Sequence, residues 1–274
     1  MKVSLEDIKK LRALTSAGMS DCKKALEEAE GDFDKAVKLV RERGLAIAAK
    51  RSDRETSEGC VLAKSTGTYA AMIALKCETE PVAKNADFIA LTNEILDLAM
   101  ANKCQSIEEV KALKMGDTTI EQAVMERSGV TGEKLELDGY LFVEGAYTAI
   151  YNHQGKNQLC TIAAFNEKCE EKVAHEVCMQ IAAMAPIALT EADVPANILA
   201  TEREIAIEKA RQEGKPENLL ERIAEGRITK FYQEACLLKQ ESIMDPKKTV
   251  AEVLKAAQAG LTVVAFRRFT LRAE

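Results

Sequence analysis

The chain has 274 residues, more than one domain usually holds, which predicts two or three compact units with separate cores. Lysine and arginine number 38 against 44 aspartate and glutamate, for a net charge of -6, a balance that disfavours a general nucleic-acid binder. Aromatic residues make up 4% of the chain and tryptophan is absent, which disfavours base-stacking platforms and suits helices packed through Ala, Leu, Ile and Val.

In chain order, Ser4 is placed to cap a helix whose Leu5, Ile8, Leu11 and Leu14 share one face, and Gly18 breaks it. A second helix starts near Ser20 and carries Cys22, Ala25, Leu26 and Ala29. Gly31 and Asp32 end it and cap a third, whose stripe is Phe33, Ala36, Val37 and Val40. These three helices predict a small module with a modest core, followed by a charged linker from Lys50 to Glu55.

The pattern then changes to strand-length apolar runs. Cys60 to Lys64 and Tyr69 to Cys77 predict a hairpin, and 85–102 a helix with Phe88, Ile89, Thr92, Ile95, Leu96 and Ala99 on one side. The order of hairpin then helix recurs. Strands are expected at Tyr140 to Val143, Ala146 to Tyr151 and Leu159 to Phe165, then a helix carrying Val173, Val177, Ile181 and Met184 that Pro186 ends. This arrangement points to an internal duplication, while 104–138 shows no clear pattern. Residues 197–234 predict a protruding antiparallel helical hairpin. Ile198, Ile205 and Ala206 mark one helix, and Leu219, Ile223, Ala224, Ile228 and Phe231 the other, about a Gly214-Lys215-Pro216 turn. Lys248-Thr249-Val250 opens a short helix through Ala257, and Leu261 to Leu271 closes the chain as a strand.

No phosphate-binding loop, dinucleotide turn, zincin helix or nucleophile elbow occurs. The eight cysteines contain no CxxC pair, and only His153 and His175 are available to complete a zinc site, so reduced thiols and no metal or cofactor are expected. No apolar run approaches the roughly 18 residues of a membrane span, which predicts a soluble cytosolic chain with no membrane partner. Glu78 and Glu80 can be read as an acid and base pair or as a solvated strand end, and the second reading is preferred. His175 and Cys178 lie one helical turn apart, but without a third partner ordinary packing is expected. Lys23 and Lys24 read as a solvated face. Met19 is open between an exposed contact and part of the module's core.

The stretch from Leu11 to Leu26, LRALTSAGMSDCKKAL, closely resembles the N-terminal signature of the elongation factor Ts family. Cys77-Glu78-Thr79-Glu80-Pro81-Val82-Ala83-Lys84-Asn85 resembles a second signature. Glu213-Gly214-Lys215-Pro216, Glu225-Gly226-Arg227 and Lys230-Phe231 fit the family's helical hairpin, and Asp245 to Val250 a later stretch, so the likeness covers nearly the whole chain.

The resemblance implies an α+β fold: a ubiquitin-associated-like three-helix module in 1–54, and a duplicated core with small antiparallel sheets in 55–138 and 139–274. The second half would include the hairpin 197–234 and a C-terminal segment 245–274. It also implies no enzyme but a nucleotide exchange factor that binds the translation GTPase elongation factor Tu, GDP-bound or nucleotide-free. The module would dock through Arg12, Gly18 and Met19, and Leu159, Cys160 and Gln180 match contact positions in the second half. The family's Thr-Asp-Phe-Val wedge, which disturbs the GTPase magnesium site, corresponds to Thr79-Glu80-Pro81-Val82, so Glu-Pro replaces Asp-Phe. Here Pro81 is expected to end the strand rigidly. The chain ends at Glu274 after its last strand, where some members continue into another helix. The hairpin is a candidate surface for a homodimer or for the GTPase. The alternative reading is a non-catalytic adaptor that uses the three-helix module.

Overall fold

The computed structural model describes residues 3–15 and 17–271, so Ser16 of the signature stretch and Glu274 lie outside the described residues. The Ser4 hydroxyl accepts the Asp7 amide (3.0 Å) and opens α1 (Leu5–Thr15). Only Ile8 and Leu11 of the expected stripe are buried, while Leu5 and Leu14 are each 60% exposed. The reason is geometric: four residues at three-residue spacing spread over about 180° of a helix, so the outer two leave the contact face. In α2 (Met19–Glu28) Cys22, Ala25 and Leu26 are buried as their spacing predicts. Asp32 caps α3 (Phe33–Ala49) by accepting the Lys35 amide at 3.0 Å.

Beyond the linker come β1 (Glu58–Ser65), β2 (Tyr69–Cys77), the single turn α4 (Glu80–Ala83), α5 (Ala86–Ala101), α6 (Ile107–Ala112), β3 (Lys114–Met115), β4 (Thr118–Thr119), α7 (Ile120–Thr131) and β5 (Glu136–Glu144). Strand β2 lies between β1 and β5 and is buried from Tyr69 to Leu75, which explains its unbroken apolar sequence. The sequence assigns Tyr140 to Val143 to the second half of the duplication. In the structure that segment is part of β5 and borders β2, because a central strand needs a partner on each edge.

The remaining elements are β6 (Tyr147–Asn152), β7 (Leu159–Phe165), α8 (Glu171–Met184), α9 (Ala196–Gln212), α10 (Glu217–Ala235), α11 (Val250–Ala257) and β8 (Val263–Thr270). Strand β7 lies between β6 and β8, and β6 pairs antiparallel to it in a register running from Tyr147↔Phe165 to Asn152↔Cys160. Phe165, Cys178, Ile181, Leu237, Leu254 and Val263 share one core cluster. The fold is therefore α+β, and its duplication is more regular than the sequence suggests: each sheet takes two consecutive strands, then a helix, then a third strand much later in the chain. The chain divides into two compact units. One is built from the segments up to Leu62 and Met72–Leu141, joined by the residues from Thr270, and the other from Ala63–Ala71 and Phe142–Phe269. No helix among the described residues is long and apolar enough to cross a membrane.

In the hairpin, Gly214 takes a left-handed φ of 73° and the Lys215 amide reaches back to the Ala210 carbonyl (3.1 Å), ending α9 as its glycine predicts. Its seam keeps Ala206 and Ala224 as expected but not Ile205 or Leu219. Ile205 and Leu219 are 53% and 40% exposed, and the buried residues are Ala206, Ala210, Leu220 and Ala224, because small side chains let the two backbones come together. Arg227 closes the hairpin, donating 2.9 Å hydrogen bonds to both carboxylate oxygens of Glu213.

Helix α3 runs past its expected stripe and crosses α7 at two glycines. A Cβ on Gly129 would lie 2.2 Å from Gly44 Cα, so no side chain fits there, and Arg41 pairs with Glu126 beside the crossing at 3.4 Å. By contrast, Gly226 in α10 has open space around it. Alanine in a helix interior is ordinarily better than glycine by about 0.5–1 kcal/mol. Urea unfolding of Gly226→Ala should therefore show a gain of about that size, whereas Gly129→Ala should lose roughly 1–3 kcal/mol through overpacking. Shifts of the same sign would contradict so close a crossing.

Candidate partner-binding site

The last β2 residue, Cys77, leaves two backbone amides at 78 and 79 beyond the strand end. Both are taken by one side chain: Glu133 Oε2 accepts the Glu78 amide at 3.1 Å and the Thr79 amide at 3.0 Å. The Thr79 hydroxyl donates to the other oxygen of Glu133. In return the Glu78 carboxylate accepts the Lys134 amide at 2.6 Å and a hydrogen bond from Arg54 at 2.9 Å, with Arg51 at 3.9 Å. The two carboxylates thus form a reciprocal clasp between the end of β2 and the loop after α7.

The clasp aims the next residues outward. Thr79, Glu80 and Pro81 are exposed and Val82 is half-buried. Pro81 does not end a strand: β2 has already stopped, and Pro81 sits in the first turn of α4, with Thr79 as N-cap. A helix's first turn suits proline because its φ is already near the helical value and no amide there is used. Ala83 is buried under the turn, and Asn85 Oδ1 caps α5 by accepting the Asp87 and Phe88 amides at 2.9 and 3.3 Å. Glu80 pairs with Lys84 at 2.6 Å, both well exposed.

Glu78 and Glu80 therefore face separate partners. The Lys134 amide, with Arg54 and Arg51, holds the Glu78 carboxyl below its ordinary value, and the Lys84 hydrogen bond does the same for Glu80. A general acid would need the opposite shift. Because the folded value of Glu78 is depressed, its stabilisation is complete above the ordinary pKa of 4.5 and is lost as pH falls through the lower folded value. His175 is exposed with its ring edge-on to Tyr151, at 5.2 Å between centroids, while Cys178 is buried.

In the N-terminal helices Arg12 and Gly18 are exposed and Met19 is half-buried, packed against the module's own core. Lys9, Arg12, Ala13 and Met19 line a shallow groove of about 470 Å³ together with Asp87 of α5. Leu159, at the start of β7, is half-buried, but Cys160 and Gln180 are interior. Gln180 braces the loop after α10, donating to Gln240 Oε1 (3.0 Å) and the Glu241 carbonyl (3.1 Å) and accepting the Ile243 amide (2.8 Å). Of those three residues only Leu159 offers surface.

None of the eight cysteines is in a disulfide, and burial pushes the thiols of Cys60, Cys77 and Cys178 up to about 12. At pH 8 their thiolate fraction is roughly one in ten thousand. Iodoacetamide followed by mass spectrometry should label half-buried Cys169 first and leave those three unmodified until denaturant is added. Early labelling of Cys178 in the folded protein would restore a reactive role for it.

The sequence model of the family described as Elongation factor TS matches residues 78–273, more than half of the chain. The elongation factor Ts of Phocaeicola vulgatus and that of Parabacteroides distasonis are each 51% identical over 330 aligned positions, covering 100% of both chains. That of Porphyromonas gingivalis is 50% identical over 275 positions, again covering 100% of both. With likeness of this extent running through both signature stretches and the hairpin, the chain belongs to the elongation factor Ts family of translation elongation factors.

Proposed function

We propose that this protein is a guanine-nucleotide exchange factor that releases GDP from elongation factor Tu in the cytoplasm, acting by binding alone. The observation that carries the reading is the outward turn at Thr79-Glu80-Pro81-Val82: a rigid, exposed projection clamped at its base by two carboxylates. A partner that binds empty GTPase more tightly than GDP-loaded GTPase weakens GDP by the same factor, so no covalent step is needed. A thousandfold weakening corresponds to about 4 kcal/mol of differential binding, within reach of a standard interface.

The parts then divide the work. Residues 1–54 dock on the GTPase through Arg12, Gly18 and Met19, and Leu159 adds contact from the second half, where Cys160 and Gln180 are interior and serve the fold. The turn presses on the nucleotide site. Pro81 presents a compact ring whose backbone is already fixed, so little entropy is lost on docking. Glu80 carries a negative charge toward the partner's magnesium and phosphates, where added charge disturbs metal coordination.

Mixing the protein with elongation factor Tu loaded with a fluorescent GDP analogue should accelerate release in proportion to its concentration until saturation. Release unchanged over a wide concentration range would refute the reading. In the same stopped-flow assay Glu80→Ala and Pro81→Gly should each slow release much more than they weaken binding to nucleotide-free GTPase. The double variant should be less than additive if the two residues act as one unit. Wild-type release by the folded double variant would move the wedge elsewhere.

A further inference from the structure

We propose that Glu133 is the positioning residue of the exchange wedge: from the loop after α7 its carboxylate fixes the direction of the Thr79–Val82 turn. The inference rests on the exchange reading above and adds a residue 54 positions after Thr79 that acts through the turn.

Three donors converge on this one side chain, the amides of Glu78 and Thr79 and the Thr79 hydroxyl. Thr79 is the N-cap of α4, so orienting its backbone orients the turn. Its own side chain makes no capping bond to α4 and instead donates to Glu133. The direction of the turn is therefore set from outside the helix that forms it.

Glu133 is itself held. Its carbonyl accepts the Ser128 hydroxyl and its amide donates to Thr131 Oγ1 at 3.3 Å, with α7 capped by Gly132 just before it. The same helix is fixed to the docking module by the Gly44–Gly129 contact and the Arg41–Glu126 pair. Arg127, its side chain 11% exposed, reaches Asp87 in the first turn of α5 at 3.1 Å. One helix and its following loop therefore hold α3, the wedge turn and the start of α5. Such a shell determines reach: a contact group displaced by about 1 Å can lose two orders of magnitude in rate while leaving affinity from other contacts nearly intact.

The test compares full-length wild type, Glu133→Ala and Glu133→Gln. Glutamine keeps an oxygen for the two amides, and its amide group can donate to the Thr79 hydroxyl, so it should rescue. Two readouts are taken. In the free protein, hydrogen exchange at the Glu78 and Thr79 amides should accelerate at least tenfold in Glu133→Ala, with the α5 amides unchanged. With elongation factor Tu, its GDP release rate at saturation should fall about tenfold, equivalent to ~1.4 kcal/mol of barrier, while affinity for the nucleotide-free GTPase changes less than threefold. Glu133→Gln should recover most of both losses. Wild-type release by Glu133→Ala, or equal loss in the two variants, overturns the proposal, as does general acceleration of exchange along α5, which would mark a merely structural role. Failure of the wild type itself to release GDP would refute the exchange reading instead, and the amide data would still report on the clasp.

Discussion

Two glycine backbones in contact, Gly44 on α3 and Gly129 on α7, are the constraint on which the rest of the first unit depends. A Cβ on Gly129 would lie 2.2 Å from Gly44 Cα, so the two helices meet backbone to backbone and the contact works as a pivot rather than a greasy face. Side-chain packing between helices usually leaves room for rotamers to adjust. Here no rotamer exists on either side. Everything borne by α7 inherits that fixity: the Glu126 partner of Arg41, the Arg127 partner of Asp87, and the loop that carries Glu133.

The energetics of the site follow a similar division. The apolar clusters supply most of the stability, with each fully buried Leu or Phe such as Leu11, Leu26 or Phe88 contributing about 1.5–3 kcal/mol. The polar clasp at Glu78 and Glu133 contributes less to stability and more to direction, because carboxylates that accept backbone amides define angles as well as distances. The hairpin makes the opposite choice. Its seam buries three alanines and Leu220, and ion pairs such as Arg203 with Glu221 sit on an exposed surface where each is worth little alone.

What could be read from the sequence depended on how loudly the contacts are written in apolar residues. Strand β2, α5 and α8 bury runs of Ile, Leu, Val, Met and Phe, and their ranges were legible. Helix α7 was not, since its buried face passes from Ile120 and Val124 to Ser128 and the Gly129 crossing, where no hydrophobic signal continues it. In the hairpin the two helices and Ala206 and Ala224 were legible, but Ile205 and Leu219 look like core while Ala210 and Leu220 take the seam. Pairing of β5 with β2 depends on a choice of neighbour that alternation cannot encode. The Thr79–Val82 turn stood out only through its likeness to a family signature. Glu133 stayed invisible because a glutamate in a chain with 44 acidic residues gives no hint that it grips amides more than fifty positions earlier.

The turn between α9 and α10 has a bearing on how this chain can vary. Residues 211–219 are all exposed, and the turn around Gly214 is closed by local hydrogen bonds and by Arg227 reaching back to Glu213 from farther along α10. Whole helical turns can be added or removed at that end in matched pairs, like the links of a folding ruler, with the seam simply continued or shortened. New chain ends placed there would leave the sheet β6-β7-β8 and its core cluster untouched. The tip can therefore change in length without disturbing that core, while at Gly129 on α7 the close backbone of Gly44 leaves no room even for a methyl group.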